Sequence, residues 1–586
     1  MPHAVVHELR PKGFSLNSKL RRFCSCLTLA FVLIGLCAGS TAASSQGKKK
    51  TAASPATSLA QQRALIRAIV ASGRLEEMRW PSFAEYRGPA NDLYQSGQFA
   101  PLWVRNGDLT MQAGEMVAIL AHADVDGLDP EDYDGPRWEK RLVMLQSQHA
   151  PADEARFDVA LSVCAMRYVS DIHGGRTPRA ARAPLEVVPE PMNVSRFVRM
   201  NLANSLDLRV DISSIEPPLV GYKRLRAALK RYTEMAAKDD GSELPPVKEG
   251  ILFENSTYEG VPRLAQLLHI FGDLPENIEI PAGSQKYTAD LVAAVKHFQI
   301  RHGLRADGYI DPDTLSELNV PLKARIEQMR LALERFRWFR FQRSEPILVI
   351  NVPGFRLYAL DERGEVALSM TVDVGQDFKR TRTPVLESTI DSLIFRPYWE
   401  VPFDIQRNEI APEIKDDPEY MIKYHFDAVG RDGKAFSGVV RGPMLEEIRS
   451  GALHLRQRPG PDNSLGLLKF NFPNRYSVYL HDVPNWEDYF SEYERSISHG
   501  CVHVQHPAAL AAWILRDSPV WSYEKVQNAM KNGPDANRVV PPRPMPVMIV
   551  YMTAVVQENG DLYFYPDIYG YDAELEAALE KLTVHP

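Results

Sequence analysis

Residues 496–504 read SISHGCVHV and place Cys501 between His499 and His503; a further histidine, His481, closes the upstream run RYSVYLHD. A thiol is a strong nucleophile only as thiolate, and a neighbouring imidazole can take its proton. One cysteine with one histidine from an adjacent strand is the minimum equipment for acyl transfer. Gly500 lets the backbone approach a substrate carbonyl, and the amides around Gly500 and Cys501 are candidates for holding an oxyanion. Two other readings compete. His499, Cys501 and His503 point to one side of a strand and could meet a metal, but C-x-x-C and H-E-x-x-H spacings are absent and structural zinc takes four ligands. Cys501 could also be a small core residue, which leaves His499, His503 and His481 unexplained.

The elements that must position these residues are strands. In RYSVYLHD, Tyr476, Val478 and Leu480 alternate with Arg475, Ser477, Tyr479 and His481, the pattern of a half-buried strand that delivers His481 near its end. ILVINV, FRLYAL, VALSMTVDV, TIDSLIFRP, CVHV and PVMIVYMTAVV are further short runs rich in β-branched residues, so a β-rich domain is expected over 346–557. Within it, about 404–460 breaks the pattern with IQRNEIAPEIKDDPEYMIKY and LEEIRSGAL, which predicts a helical capping insertion or lid. A connecting helix is expected over 323–345 and a C-terminal extension over 558–586.

Upstream the period is helical. Residues 61–261 read as a helix-rich scaffold domain punctuated by GGRTPRAARAP and EPP. Residues 262–322 form a smaller unit. Leu291, Val295, Phe298 and His302 share one helix face, with Thr288 as N-cap and Gly303 just past the end. Asp307-Gly308 then turns the chain, and Asp311-Pro312 opens a helix carrying Leu315 and Leu318. Residues 1–42 combine Lys19, Arg21 and Arg22 with FCSCLTLAFVLIGLCAGS, a signal peptide or N-terminal anchor, and 43–60 are a polar linker.

Composition narrows the classes. With 586 residues the chain holds several domains, and a formal charge of -7 without a basic stripe argues against nucleic acid as partner. Of five cysteines, Cys24, Cys26 and Cys37 fall in the N-terminal segment, so an exported product keeps Cys164 and Cys501, too few for a disulfide scaffold. Cys164 sits in a helical repeat with Phe157, Leu161, Tyr168 and Ile172 and reads as core.

His481, a spacer, then Ser498-His499-Gly500-Cys501-Val502 resembles the signature of the L,D-transpeptidase (YkuD) catalytic family. The family pattern commonly continues to Asn, where this chain has His503. FRLYAL, TRTPV, FRPYWEVP, GPDNSLGLLKFNFPNRYSVYLHDVP and VYMTAVVQENGDLYFYPDIYG resemble the large multidomain members of Gram-negative bacteria, and AVKHFQIRHGLRADGYIDPDTLSEL resembles the small three-helix peptidoglycan-binding module. The fold so implied is multidomain α+β: helix-rich scaffold, peptidoglycan-binding-like module, β-rich catalytic domain with capping insertion.

The resemblance implies peptidoglycan tetrapeptide stems as donor and acceptor, with Cys501 expelling D-alanine to form a thioester and an amine resolving it into a 3→3 cross-link. His481 is then base and acid, its ring oriented by a backbone carbonyl. Asp482 would face away. Gly500, His499 and Ser498 support the oxyanion loop; Tyr398, Trp399, Tyr479, Asn463 and Arg382 are candidates for binding substrate. No metal or cofactor is implied. A functional link to a D,D-carboxypeptidase and a glycan polymerase, a periplasmic location and acylation by carbapenem-type β-lactams are also implied.

Overall fold

Three apolar clusters organise the described residues of the computed structural model. It describes residues 55–584, apart from 106, 149, 179–181, 183–191, 340–344, 379–380, 485–489 and 491–493. The expected signal or anchor over 1–42 lies outside the described residues, as does most of the linker. No described helix is long and apolar enough to cross a membrane.

The first cluster is helical and centres on the long helix Pro151–Gly174, most of whose side chains are buried, Cys164 among them. A small hairpin, β1 (Val104–Arg105) and β2 (Asp108–Leu109), hangs on this helix through Asp158, whose carboxylate accepts from the backbone N–H groups of Leu102, Trp103 and Val104. Helix Val220–Ala236 is different. Tyr222, Leu225, Leu229 and Tyr232 belong to the second cluster, which runs on through the small helical unit into the catalytic sheet. In that unit Leu291, Val295, Phe298 and His302 are buried together on Ala289–Arg301 and its C-cap. Asp311 caps Pro312–Leu318 by accepting from Thr314 N–H (2.8 Å). Thr288 stands at its N-cap position without a side-chain bond.

The β-rich half builds an eleven-stranded sheet from β3 (Ile347–Asn351), β4 (Arg356–Leu360), β5 (Val366–Gly375), β6 (Leu386–Ile390), β7 (Ser392–Phe395), β12 (Leu468–Asn471), β13 (Leu480–His481), β14 (Ser496–Ser498), β15 (Val502–Val504), β16 (Asn537–Val539) and β17 (Met545–Val550). The order is β16-β7-β12-β13-β15-β5-β4-β3-β17-β6, with β14 pairing β5 off that path. β13 therefore lies between β12 and β15, and β15 between β13 and β5. A separate pair, β18 (Ala554–Val556) and β19 (Leu562–Phe564), follows.

Two differences from the sequence expectation have clear causes. RYSVYLHD was expected to be one strand, but only Leu480–His481 is. Asn474 Oδ1 accepts from the N–H groups of Tyr476 and Val478 (3.0 and 3.1 Å), and Ser477 takes φ +57°, so a side-chain-built turn occupies the first part. The insertion carries short helices such as Pro443–Ser450 but also its own four-stranded sheet, β10-β9-β11-β8, from β8 (Trp399–Glu400), β9 (Phe426–Val429), β10 (Ala435–Phe436) and β11 (His454–Gln457). Val401, Ile410, Ile414, Met421, Phe426, Ile448 and Leu455 form its separate core.

Candidate active site

β13 and β15 run parallel with Leu480 opposite Val502 and His481 opposite His503. Cys501 immediately precedes β15, so the pairing brings the thiol loop and His481 to one end of two adjacent strands. Gly500 has φ +108°, which an L side chain rarely adopts, and a Cβ there would meet the Thr381 carbonyl oxygen at 3.3 Å. The facing residue, Gly375, is tighter still: a Cβ would lie 1.7 Å from that oxygen. Two glycines thus let Thr381 press against the turn that carries Cys501. Thr383 ties them, its hydroxyl accepting from Gly375 N–H (2.8 Å) and donating to Gly500 O (3.0 Å). Tyr569 closes the arrangement, donating to Gly375 O (2.5 Å) and accepting from Thr383 N–H (3.2 Å). Tyr569→Phe is expected to lower stability by about 1–2 kcal/mol, measured by denaturant unfolding, with slower alkylation of Cys501 as the loop loosens.

His481 is 3 % exposed and its Nδ1 lies 2.6 Å from the Asp482 carbonyl oxygen. A carbonyl only accepts, so Nδ1 carries the proton and Nε2 keeps its lone pair for use as a base. Burial first, then the charges possible on His503 and Lys469, hold this imidazole well below its ordinary pKa, so it rests neutral. Burial likewise pushes the Cys501 thiol up to about 11, opposed by Tyr479 and Lys469. The Cys501 thiol donates to the Ser477 carbonyl oxygen (Sγ–O 3.9 Å). At rest Cys501 is therefore a neutral thiol and His481 a neutral imidazole.

The supporting residues divide. Ser498 Oγ donates to Cys501 O (2.6 Å) and accepts from Gly500 N–H (3.1 Å). That bond occupies the Gly500 amide expected to hold an oxyanion, so Gly500 serves through its backbone shape instead. His499 turns outward to Glu409 of the insertion (Nε2–Oε1 2.9 Å), while His503 turns inward to Asp373 (2.6 Å). The two flanking histidines do not converge with Cys501, and no described group of three or more His, Cys, Asp or Glu could hold a metal. Both Cys164 and Cys501 are free thiols.

Among the expected substrate residues, Tyr479 acts on the Cys501 thiol, whereas Trp399 packs against Phe426 of the insertion (6.1 Å between ring centroids). Tyr398 lies beneath the Arg456 guanidinium (4.4 Å to the ring centroid) in the insertion's sheet. Arg382 pairs with Asp377 (2.6 Å) and lies over Tyr569 and Tyr571, so it braces the 375–383 loop. Asn463 was expected to line the groove but is 1 % exposed. Its Nδ2 donates to the carbonyls of Pro397, Gln457 and Arg458 and its Oδ1 accepts from Leu465 N–H, leaving nothing for a ligand. Asp482 Oδ2 accepts from Leu467 N–H (2.8 Å), a structural bond.

Sequence reasoning missed Lys469. Its Nζ lies 3.7 Å from the Tyr479 ring centroid and the residue pairs across β12–β13 with His481, so a half-buried cation shares the site. The signal was present: a lysine interrupting the apolar alternation of LLKFNF. Glu409 was missed as well, since no local pattern links it to His499. Glu409→Gln is expected to change stability by less than about 0.5 kcal/mol, both side chains being half exposed, while speeding access of a bulky thiol reagent to Cys501 by a few-fold.

Comparison with known proteins now adds to this geometry. Residues 345–521 match the family model of the L,D-transpeptidase catalytic domain, residues 257–318 that of a putative peptidoglycan binding domain, and residues 89–229 that of a scaffold domain. Along the chain the three matches run in the order scaffold domain, peptidoglycan-binding-type module, YkuD L,D-transpeptidase catalytic domain. A putative L,D-transpeptidase of Haemophilus influenzae is 30% identical over 237 residues, 39% of this chain and 45% of that protein, so the match spans less than half that relative's length. Among solved structures, the crystal structure of an L,D-transpeptidase from Xylanimonas cellulosilytica aligns over 52% of this chain and all of that one, at 16% identity and a TM-score of 0.16, too low to carry any argument.

Proposed function

We propose that the protein forms 3→3 cross-links in peptidoglycan, using Cys501 as nucleophile. In this reading the Cys501 proton passes to His481 Nε2 as sulfur attacks the carbonyl at the L-centre of diaminopimelate in a tetrapeptide stem. The tetrahedral intermediate collapses as His481 returns that proton to the departing D-alanine amine, leaving a thioester. The diaminopimelate amine of a second stem then attacks, His481 accepts its proton, and the thiol is restored as the new amide forms. The observation that carries the reading is the pairing of β13 with β15. That register puts His481 on the strand next to the one Cys501 leads into, and its Nδ1 is bound to a backbone carbonyl, which supports the use of Nε2 as the base.

No metal or cofactor enters this chemistry. The peptidoglycan-binding-type module supports a cell-wall substrate, and with it a periplasmic location. A D,D-carboxypeptidase activity would supply the tetrapeptide donor, and a glycan polymerase the strands.

The test uses the purified protein with disaccharide-tetrapeptide fragments and mass spectrometry. Loss of D-alanine with a dimeric product is expected. Tripeptide without dimer would replace the stem amine by water, an L,D-carboxypeptidase; product only with a lipoprotein lysine would indicate protein anchoring. Neither D-alanine nor thioester would leave a peptidoglycan-binding scaffold.

A further inference from the structure

The sheet register lines up four titratable side chains across four neighbouring strands. Lys469 on β12 is opposite His481 on β13, His481 is opposite His503 on β15, and His503 is opposite Asp373 on β5. The contacts follow the register. The His481 and His503 rings meet edge to face with centroids 4.7 Å apart, and His503 Nδ1 lies 2.6 Å from Asp373 Oδ2. Asp373 has no solvent exposure and the His503 side chain only 13 %. A carboxylate buried this way is costly unless something uses its charge, and the reaction just described does not assign it one.

We propose that Asp373 and His503 are positioning residues that act as one unit on His481: the carboxylate, through the His503 ring, stabilises the imidazolium that forms when His481 takes the Cys501 proton. The proposal rests on the reading of Cys501 as nucleophile and His481 as base. It places an acidic partner for the base one strand beyond the usual position, reached through a second imidazole. His481 Nδ1 is already bound to the Asp482 carbonyl, so no carboxylate can occupy that side. The surroundings define when the unit is charged. Burial pushes the Asp373 carboxyl up to about 7 against the pull of the Ile497 amide and Arg495, and holds His503 down to about 4, with His499 acting in the same direction. Arg356 faces Arg495, Lys469 disfavours charge on His481, and Cys501, once ionised, favours charge on Lys469. Below neutrality the pair carries one proton and no net charge; above it the proton leaves and the pair is negative. The sign follows: a negative pair favours the imidazolium, so the chemical step quickens as pH rises through about 7.

The experiment is site-specific alkylation of Cys501 by iodoacetamide in the full-length protein, read by mass spectrometry of the Cys501 peptide from pH 5 to 11. Transfer from neutral thiol to neutral imidazole leaves the total proton count unchanged, so the reaction through that minor ion pair gives a pH-independent rate at neutral pH. Free thiolate adds a rising limb towards 11. In the wild type this plateau is expected to step up near pH 7. Asp373→Asn, isosteric but uncharged, should remove the step and lower the plateau about tenfold, with the high-pH limb unchanged. His503→Asn should do the same, and the double variant should be no slower than either single one. The turnover number for D-alanine release should fall with the plateau while KM stays within about twofold. An unchanged plateau in Asp373→Asn overturns the proposal, as does a uniform loss on both limbs with a lowered melting temperature, which would mean a purely structural role. Should the wild type release no D-alanine yet show the plateau difference, the functional reading fails and the pair stands. D-alanine release with identical plateaus sinks the pair alone.

Discussion

Cys501→Ala is expected to abolish D-alanine release and to leave no acyl adduct on the protein, a loss of about 10⁴-fold or more. Cys501→Ser should be nearly as inactive. A serine hydroxyl is far less acidic than the thiol, and the base facing it is an imidazole held well below its ordinary pKa. The pull of Lys469 and Tyr479 on this position would not make up that deficit. The fold should be indifferent, since either substitution removes or exchanges one atom in a half-buried residue, and melting temperatures should agree within a few degrees. Intact-protein mass spectrometry with a carbapenem-type β-lactam checks the same point without a peptidoglycan substrate. The wild type should gain one inhibitor mass and Cys501→Ser none. An adduct on either variant would move the nucleophile to another residue.

His481→Gln is expected to cost about 10³-fold in turnover, within the range of a positioned general base. Glutamine can still bond the Asp482 carbonyl that now holds Nδ1, so the strand should keep its place. What it cannot do is accept the thiol proton. With the thiol pushed up to about 11, the variant should lose the neutral-pH plateau of alkylation altogether. Its rate should then rise about tenfold per pH unit over the whole range below 11. A plateau that survives the substitution would show that Tyr479 and Lys469, not His481, ionise the sulfur.

How much was legible before the fold can be argued from particular residues. Cys501 and His481 were singled out because a rare thiol and a strand-end histidine are local signals, ranked by the resemblance of Ser498-His499-Gly500-Cys501 to a family signature. The capping insertion was visible as a break in alternation, though its four-stranded sheet was not, because β8 and β10 have only two residues each and take their order from pairing partners. Asn463 misled for a related reason: an asparagine in a Gly-Pro-rich turn looks the same whether its amide faces a ligand or the chain's own carbonyls. Tyr569 and Thr383 could not be found at all, since the loop they close joins segments nearly two hundred residues apart.

Sequence by itself pointed to the helix-rich region, the smaller helical module and the β-rich domain in that order, and to Cys501 and His481 as candidates, because side-chain type, short-range periodicity and a local motif are properties of neighbouring residues. Only the tertiary structure decided that Gly500 donates its amide to Ser498, that His499 faces the insertion, and that Lys469, His481, His503 and Asp373 stand in one row. Such a row is set by three registers, two between strands near one another in the chain and one, β15 with β5, between strands more than a hundred residues apart. A shift of one residue would turn each side chain to the opposite face, and nothing within any single strand fixes that choice.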